Sequence, residues 1–142
     1  MSFSFNISTK PTNTTGIVGG LTILSRNVPD IACRAVALSF LRLLQRSPSS
    51  LVDRTVKATD CAWALHPGGL AVIEGVKKTM ALDPGQLRTS EEVYRKHGNS
   101  SSPTVLIVLD KMRRSAPNQR PVVAAAFGPG MSVELALLRR CS

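Results

Sequence analysis

Cys61-Ala62-Trp63-Ala64-Leu65-His66-Pro67-Gly68-Gly69 is the stretch whose reading decides the fold. The apolar run Cys61–Leu65 reads as a short buried strand that stops at a histidine. Pro67 has no N–H for a sheet, so pairing is expected to end there. Gly68 and Gly69 allow a sharp turn and a close approach of backbone to a ligand. Behind them Val72, Ile73, Val76 and Met80 recur at helical spacing, which predicts an amphipathic helix over 69–82. The local plan is strand, histidine, turn, helix. It sets an imidazole at a strand end beside the open N–H groups of a helix start. Read alone, such a histidine is more often a satisfied polar residue, and Pro-Gly-Gly is ordinary turn chemistry.

Working outward, residues 1–20 are polar and carry Pro11, Gly16, Gly19 and Gly20, which reads as a loose lead-in. Leu21–Ser25 is a strand candidate. Pro29-Asp30 opens a long helix on which Ile31, Ala35, Leu38 and Leu41 recur, broadened by Val36, Phe40 and Leu43 into a deeply buried face. Ser47-Pro48-Ser49-Ser50 ends it. After the 69–82 helix, Asp83-Pro84-Gly85 is a turn, and Thr89-x-x-Glu92 has the form of a capping box before a helix that stops at Gly98. Thr104–Leu109 is ambiguous between strand and helix on propensity and termini. Pro121–Phe127 and Met131–Leu138 read as two strands joined through Gly128-Pro129-Gly130.

Bulk properties narrow the classes. A chain of 142 residues is one domain or a piece of one, with enough apolar residues for a core. No apolar run is long enough to span a bilayer, and the N-terminal stretch lacks a signal-peptide pattern, so a cytoplasmic location is expected. Three cysteines without close spacing argue against a disulfide framework and against a metal site. The net charge of +9 is dispersed, with one Trp and one Tyr for stacking, which disfavours nucleic acid as a partner and suits a phosphate-bearing small molecule.

His66-Pro67-Gly68-Gly69, Gly98-Asn99-Ser100-Ser101-Ser102 and Phe127-Gly128-Pro129-Gly130, in this order, resemble signatures of the type III polyketide synthases, the chalcone and stilbene synthase relatives in the thiolase superfamily. The 33-residue separation of His66 and Asn99 also resembles that family. The resemblance runs from about Gly20 to the C-terminus, covers only the C-terminal portion of such an enzyme, and divides the chain into a lead-in, 1–19, and a chalcone/stilbene synthase C-terminal-like domain, 20–142. It implies an α/β fold, a partial thiolase-like half with a mixed sheet packed by helices, and it makes Thr104–Leu109 a buried helix.

The chemistry it implies is that of a Cys-His-Asn site, in which malonyl-CoA is decarboxylated and condensed onto an acyl-CoA starter. Catalytic roles fall on His66 and Asn99. Contacts with coenzyme A or substrate fall on Gly68, Gly69, Ala71 and Ser101, and on the Phe127, Gly128, Pro129, Gly130 turn. CoA thioesters are the substrates and no further cofactor is implied. A homodimer, or association with a full-length relative or a cysteine-bearing N-terminal half, is the expected assembly. Some features depart from the family. Its nucleophilic cysteine lies well upstream of the histidine, whereas Cys33 and Cys61 lie too close to His66. His97 stands where the family has Tyr, and Pro103 where it has Ala. Ketoacyl-ACP synthase III and plant very-long-chain ketoacyl-CoA synthases share the His and Gly-Asn plan, but His-Pro-Gly-Gly and Phe-Gly-Pro-Gly favour the polyketide synthases. A non-catalytic, dimerising fragment is the other class of reading.

Overall fold

The computed structural model describes residues 2–6, 15–18, 21–24, 27–48, 52–53, 55–114, 120–128 and 132–139. Strands β1 (Ser2–Asn6), β2 (Thr15–Val18) and β3 (Leu21–Leu24) precede helix α1 (Val28–Arg46). Then come β4 (Ala62–Leu65), α2 (Leu70–Thr79), α3 (Arg88–His97), α4 (Thr104–Arg114), β5 (Val122–Gly128) and β6 (Ser132–Leu138). The main sheet is mixed, in the order β1-β6-β5-β4; β4 runs parallel to β5, and the other pairs are antiparallel. β2 and β3 form a separate antiparallel pair. The stretch read as a loose lead-in thus contains two strands, and β1 is an edge of the main sheet. No described helix is long and apolar enough to cross a membrane.

Over β4 and β5 the sheet is covered on both faces and the strands read as near-continuous apolar runs, whereas β6 alternates buried and exposed residues. Side chains alternate across it. Trp63, Leu65, Val123, Ala125, Val133, Leu135 and Leu137 join Ala32, Val36, Phe40 and Leu43 of α1 and Val72, Ile73 and Val76 of α2 in one core. On the opposite face Ala64 and Ala124 meet Val93 of α3 and Val108 of α4. Large residues fill the first face, while alanines let α4 come close on the second.

Two expected apolar faces turn out differently. On α1, Leu38 and Leu41 are 49% and 57% exposed, because the buried stripe runs through Ala32, Val36, Phe40 and Leu43 instead. On α4, the expected buried helix buries only Thr104 and Val108, and Leu106 is 63% exposed. The capping box is also absent. α3 begins after Leu87 without a side-chain cap, and Glu92 instead pairs with Arg88 and with Lys111 of α4.

α1 and α2 pack closely at Gly75, where an added Cβ would run into Cys33 Sγ. Gly75→Ala is expected to cost about 1–2 kcal/mol, overpacking outweighing the gain in helix propensity. Urea denaturation of Gly75→Ala, Cys33→Ala and the double variant tests this. The double variant should recover most of the loss.

Candidate active site

The strand–histidine junction forms as its sequence dictates. The His66 N–H donates to Ala125 O at 2.8 Å, extending the β4–β5 pairing one residue past the strand. Pro67 ends it, and the Gly68 N–H folds back onto His66 O at 2.9 Å. His66 is buried, 5% exposed. Its ring stands edge-on to Phe127 of β5, with centroids 6.1 Å apart and planes at 79°. A Cβ on Gly68 would lie 3.7 Å from His66 Cδ2 and 3.9 Å from Phe127 Cδ2. These three residues therefore make one wall.

Asn99 reaches the same place from the other side of the sheet's end. α3 stops at Gly98, whose φ of 64° and ψ of −154° belong to a region essentially reserved for glycine. The Asn99 Nδ2–H donates to Gly68 O at 3.4 Å, and Asn99 Oδ1 accepts the Ser101 N–H at 2.9 Å. With its oxygen engaged by Ser101, the amide turns its NH2 toward Gly68. Ser101 itself has φ 64°, a costly conformation for a side-chain-bearing residue. Its carbonyl accepts both the N–H and the hydroxyl of Thr104, at 3.0 and 2.7 Å. Strain in the loop is thus held by α4.

His66 and Asn99 are brought together. Burial pushes the imidazole below its ordinary value of 6.5, and the Asn99 amide beside it pushes partly back. The lowered value keeps His66 neutral at neutral pH, able to donate from one nitrogen. It has a stability consequence. The unfolded chain binds more protons on the acid side of the ordinary value, so stability rises with pH there. It is whole above about pH 6.5, falls as pH drops toward the folded value, and then levels off. Denaturation midpoints from about pH 7 down to about pH 5 should fall more for the native chain than for His66→Gln.

The remaining predicted residues lie as follows. Gly69 precedes α2 with φ 163°, an extended backbone open to any residue, and has nothing within 4 Å of an added Cβ. Neither it nor Gly68 is needed for the turn itself, a correction to the expectation from Pro-Gly-Gly; what they leave is room. Ala71 is exposed on the first turn of α2, a turn with no side-chain cap. Ser101 is exposed beside Asn99. Phe127 walls His66, and Gly128 makes a tight passage in which a Cβ would lie 2.5 Å from Ser132 Oγ. Pro129 and Gly130 lie outside the described residues. Neither Cys33 nor Cys61 suits a nucleophile: burial, with Asp30 and Asp60 nearby, raises both thiols, Cys61 to about 11.

Two residues of the site's frame escape a reading of motifs. Ser90, fully buried, accepts the Leu65 N–H at 3.2 Å. Gln86 donates to Cys61 O at 2.8 Å and also to Ala58 O and Thr59 O. Each is a lone polar residue in a polar stretch, where nothing in the sequence marks a partner. A cavity of about 630 Å³ lies at the opposite end of β4, lined by Cys61, Ala62, Gln86, Val122 and Leu138 among others, and neither His66 nor Asn99 reaches it.

The sequence matches the family model for chalcone and stilbene synthases, C-terminal domain, over residues 17–142. It is 44% identical over 133 residues to the type III polyketide synthase pspB of Penicillium soppii, covering 87% of this chain and 33% of that one. The fold superposes on a type III pentaketide synthase from Neurospora crassa with TM-score 0.85 and 31% identity, covering 99% of this chain and 40% of that one. It superposes on CsyB complexed with CoA-SH with TM-score 0.84 and 27% identity, covering 99% and 39%; csyB of Aspergillus oryzae is an acylalkylpyrone synthase. The chain spans about a third of the length of these curated relatives.

Proposed function

The chain belongs to the type III polyketide synthase family, and from that premise we propose that it supplies the His66–Asn99 part of a site for decarboxylative condensation of malonyl-CoA onto an acyl group. Loss of CO2 from malonyl-CoA leaves an enolate, with the negative charge on the thioester oxygen. His66 N–H and Asn99 Nδ2–H donate to that oxygen. Donors preorganised where charge develops lower the barrier without reorganising. The enolate carbon then attacks an acyl thioester, a C–C bond forms, and the thiolate that carried the acyl group leaves.

The observation that carries this reading is the meeting of a buried imidazole and a carboxamide at Gly68, the amide's oxygen held by Ser101 N–H. Asparagine donates without titrating, and burial keeps histidine from becoming an acid in its own right. The space at Gly69 and the uncapped N–H groups opening α2 suit the pantetheine arm of CoA, passing Gly68 and Ala71. Burial raises the Cys33 and Cys61 thiols, and the resemblance implies that the acyl-bearing thiolate is supplied by a cysteine well upstream of the histidine, on a segment such as a cysteine-bearing N-terminal half.

The exposed Leu106 of α4 and Leu38 and Leu41 of α1 favour a second reading, a module that associates with another chain without turning over substrate. One assay separates the two. The chain is incubated with malonyl-CoA and a fatty acyl-CoA, with and without the separately expressed N-terminal half of a relative. CO2 release and pyrone formation that depend on both pieces support condensation. Association without CO2 release overturns it in favour of the second reading.

A further inference from the structure

Among the described residues β4 is an edge strand, paired with β5 on one side only. Its other side would present unpaired backbone groups, and two side chains cover them. Gln86 Nε2 donates to Cys61 O at 2.8 Å where the strand enters, and Ser90 Oγ accepts the Leu65 N–H at 3.2 Å where it leaves. Ser90 lies on α3, which ends at Gly98 and delivers Asn99; Leu65 is followed at once by His66. The two members of the site therefore sit just past the ends of separate elements, β4 and α3. The Ser90–Leu65 hydrogen bond is where these elements are tied beside the site. Ser90 is 0% exposed, so water cannot replace it as the acceptor. α3 is also held to this layer by Val93 packed with Ala64 and by the Lys77–Glu91 ion pair with α2, which is partly exposed and screened by solvent.

We propose that Ser90 is a positioning residue: by accepting the Leu65 N–H it fixes α3 along the open edge of β4, and so sets how closely the Asn99 amide approaches the His66 ring. It touches neither substrate nor the reacting atoms. The inference rests on His66 and Asn99 being the working pair, but its test reads their approach directly, without turnover. A failed condensation assay and a failed positioning experiment are therefore distinct results.

The experiment is NMR on the full chain, whose two histidines make the His66 ring straightforward to assign. Ser90→Ala is expected to speed exchange of the Leu65 amide by roughly five- to tenfold, as one hydrogen bond is lost. It should also abolish the nuclear Overhauser contact between the His66 ring and the Asn99 side chain. Ser90→Thr, which keeps the hydroxyl, should retain that contact. Lys77→Met, which removes the ion pair but leaves the β4 edge alone, should retain it too. The proposal is overturned if Ser90→Ala keeps the contact, if Ser90→Thr loses it equally, or if Lys77→Met does. Should Ser90→Ala not fold, Ser90→Cys takes its place, with a weaker acceptor and the same deciding outcomes.

Discussion

With a cysteine-bearing half present to complete the site, His66→Ala and Asn99→Ala should each lower malonyl-CoA decarboxylation by about a hundredfold to a thousandfold, the usual cost of one oxyanion donor. The double variant should lose far less than the product of the two, since donors that hold one oxygen act as a unit. Asn99→Asp should do at least as badly as Asn99→Ala. It replaces a donor with an anion at the point where negative charge forms, and a carboxylate cannot give a hydrogen bond to the enolate. Release of labelled CO2, measured beside circular dichroism to confirm folding, checks all four. A His66→Ala chain that decarboxylates at the native rate would remove the imidazole from the mechanism.

The second large effect is on stability. Trp63→Ala should cost about 3–5 kcal/mol, a large fraction of the net stability usual for a domain. Trp63 is fully buried, its ring is tilted against Phe40 at 5.4 Å, and its Nε1–H donates to Ala58 O at 2.9 Å. It joins the sheet to α1, so a void there cannot be closed by moving one side chain. Trp63→Phe should cost much less, about 1–2 kcal/mol, because a ring remains and Ala58 O keeps the Gln86 Nε2 donor at 3.2 Å. Since Trp63 is the only tryptophan, unfolding must be followed by far-ultraviolet circular dichroism. A midpoint for Trp63→Ala within error of Trp63→Phe would show that this part of the core repacks.

The Cys61–Gly69 stretch is legible because each residue there imposes a local constraint. Proline removes a donor, alternation across the sheet demands large residues at Trp63 and Leu65, and the periodicity of Val72, Ile73 and Val76 needs no outside information. β5 and β6 are legible for the same reason. What periodicity misreads is the choice among apolar stripes. α1 carries more apolar residues than one stripe holds, and only tertiary packing selects Ala32, Val36, Phe40 and Leu43 over Leu38 and Leu41. The capping box fails similarly: Thr89 could cap, but Leu87 is buried at the start of α3, and Glu92 is drawn to Lys111 across 19 residues of sequence. The meeting of His66 and Asn99 was legible only through family resemblance, since nothing in the 32 residues between them states a distance. Ser90 was not legible at all, because its partner is a backbone N–H, which every residue but proline carries.

The left-handed backbone of Ser101 divides two pressures on one codon. Variants recovered from a randomised library by folding alone should favour glycine, asparagine and aspartate there, the residues for which that conformation costs least. A library sorted instead by product formation reads the hydroxyl as well. Any disagreement between the two harvests would measure what the side chain contributes after its backbone has been accounted for.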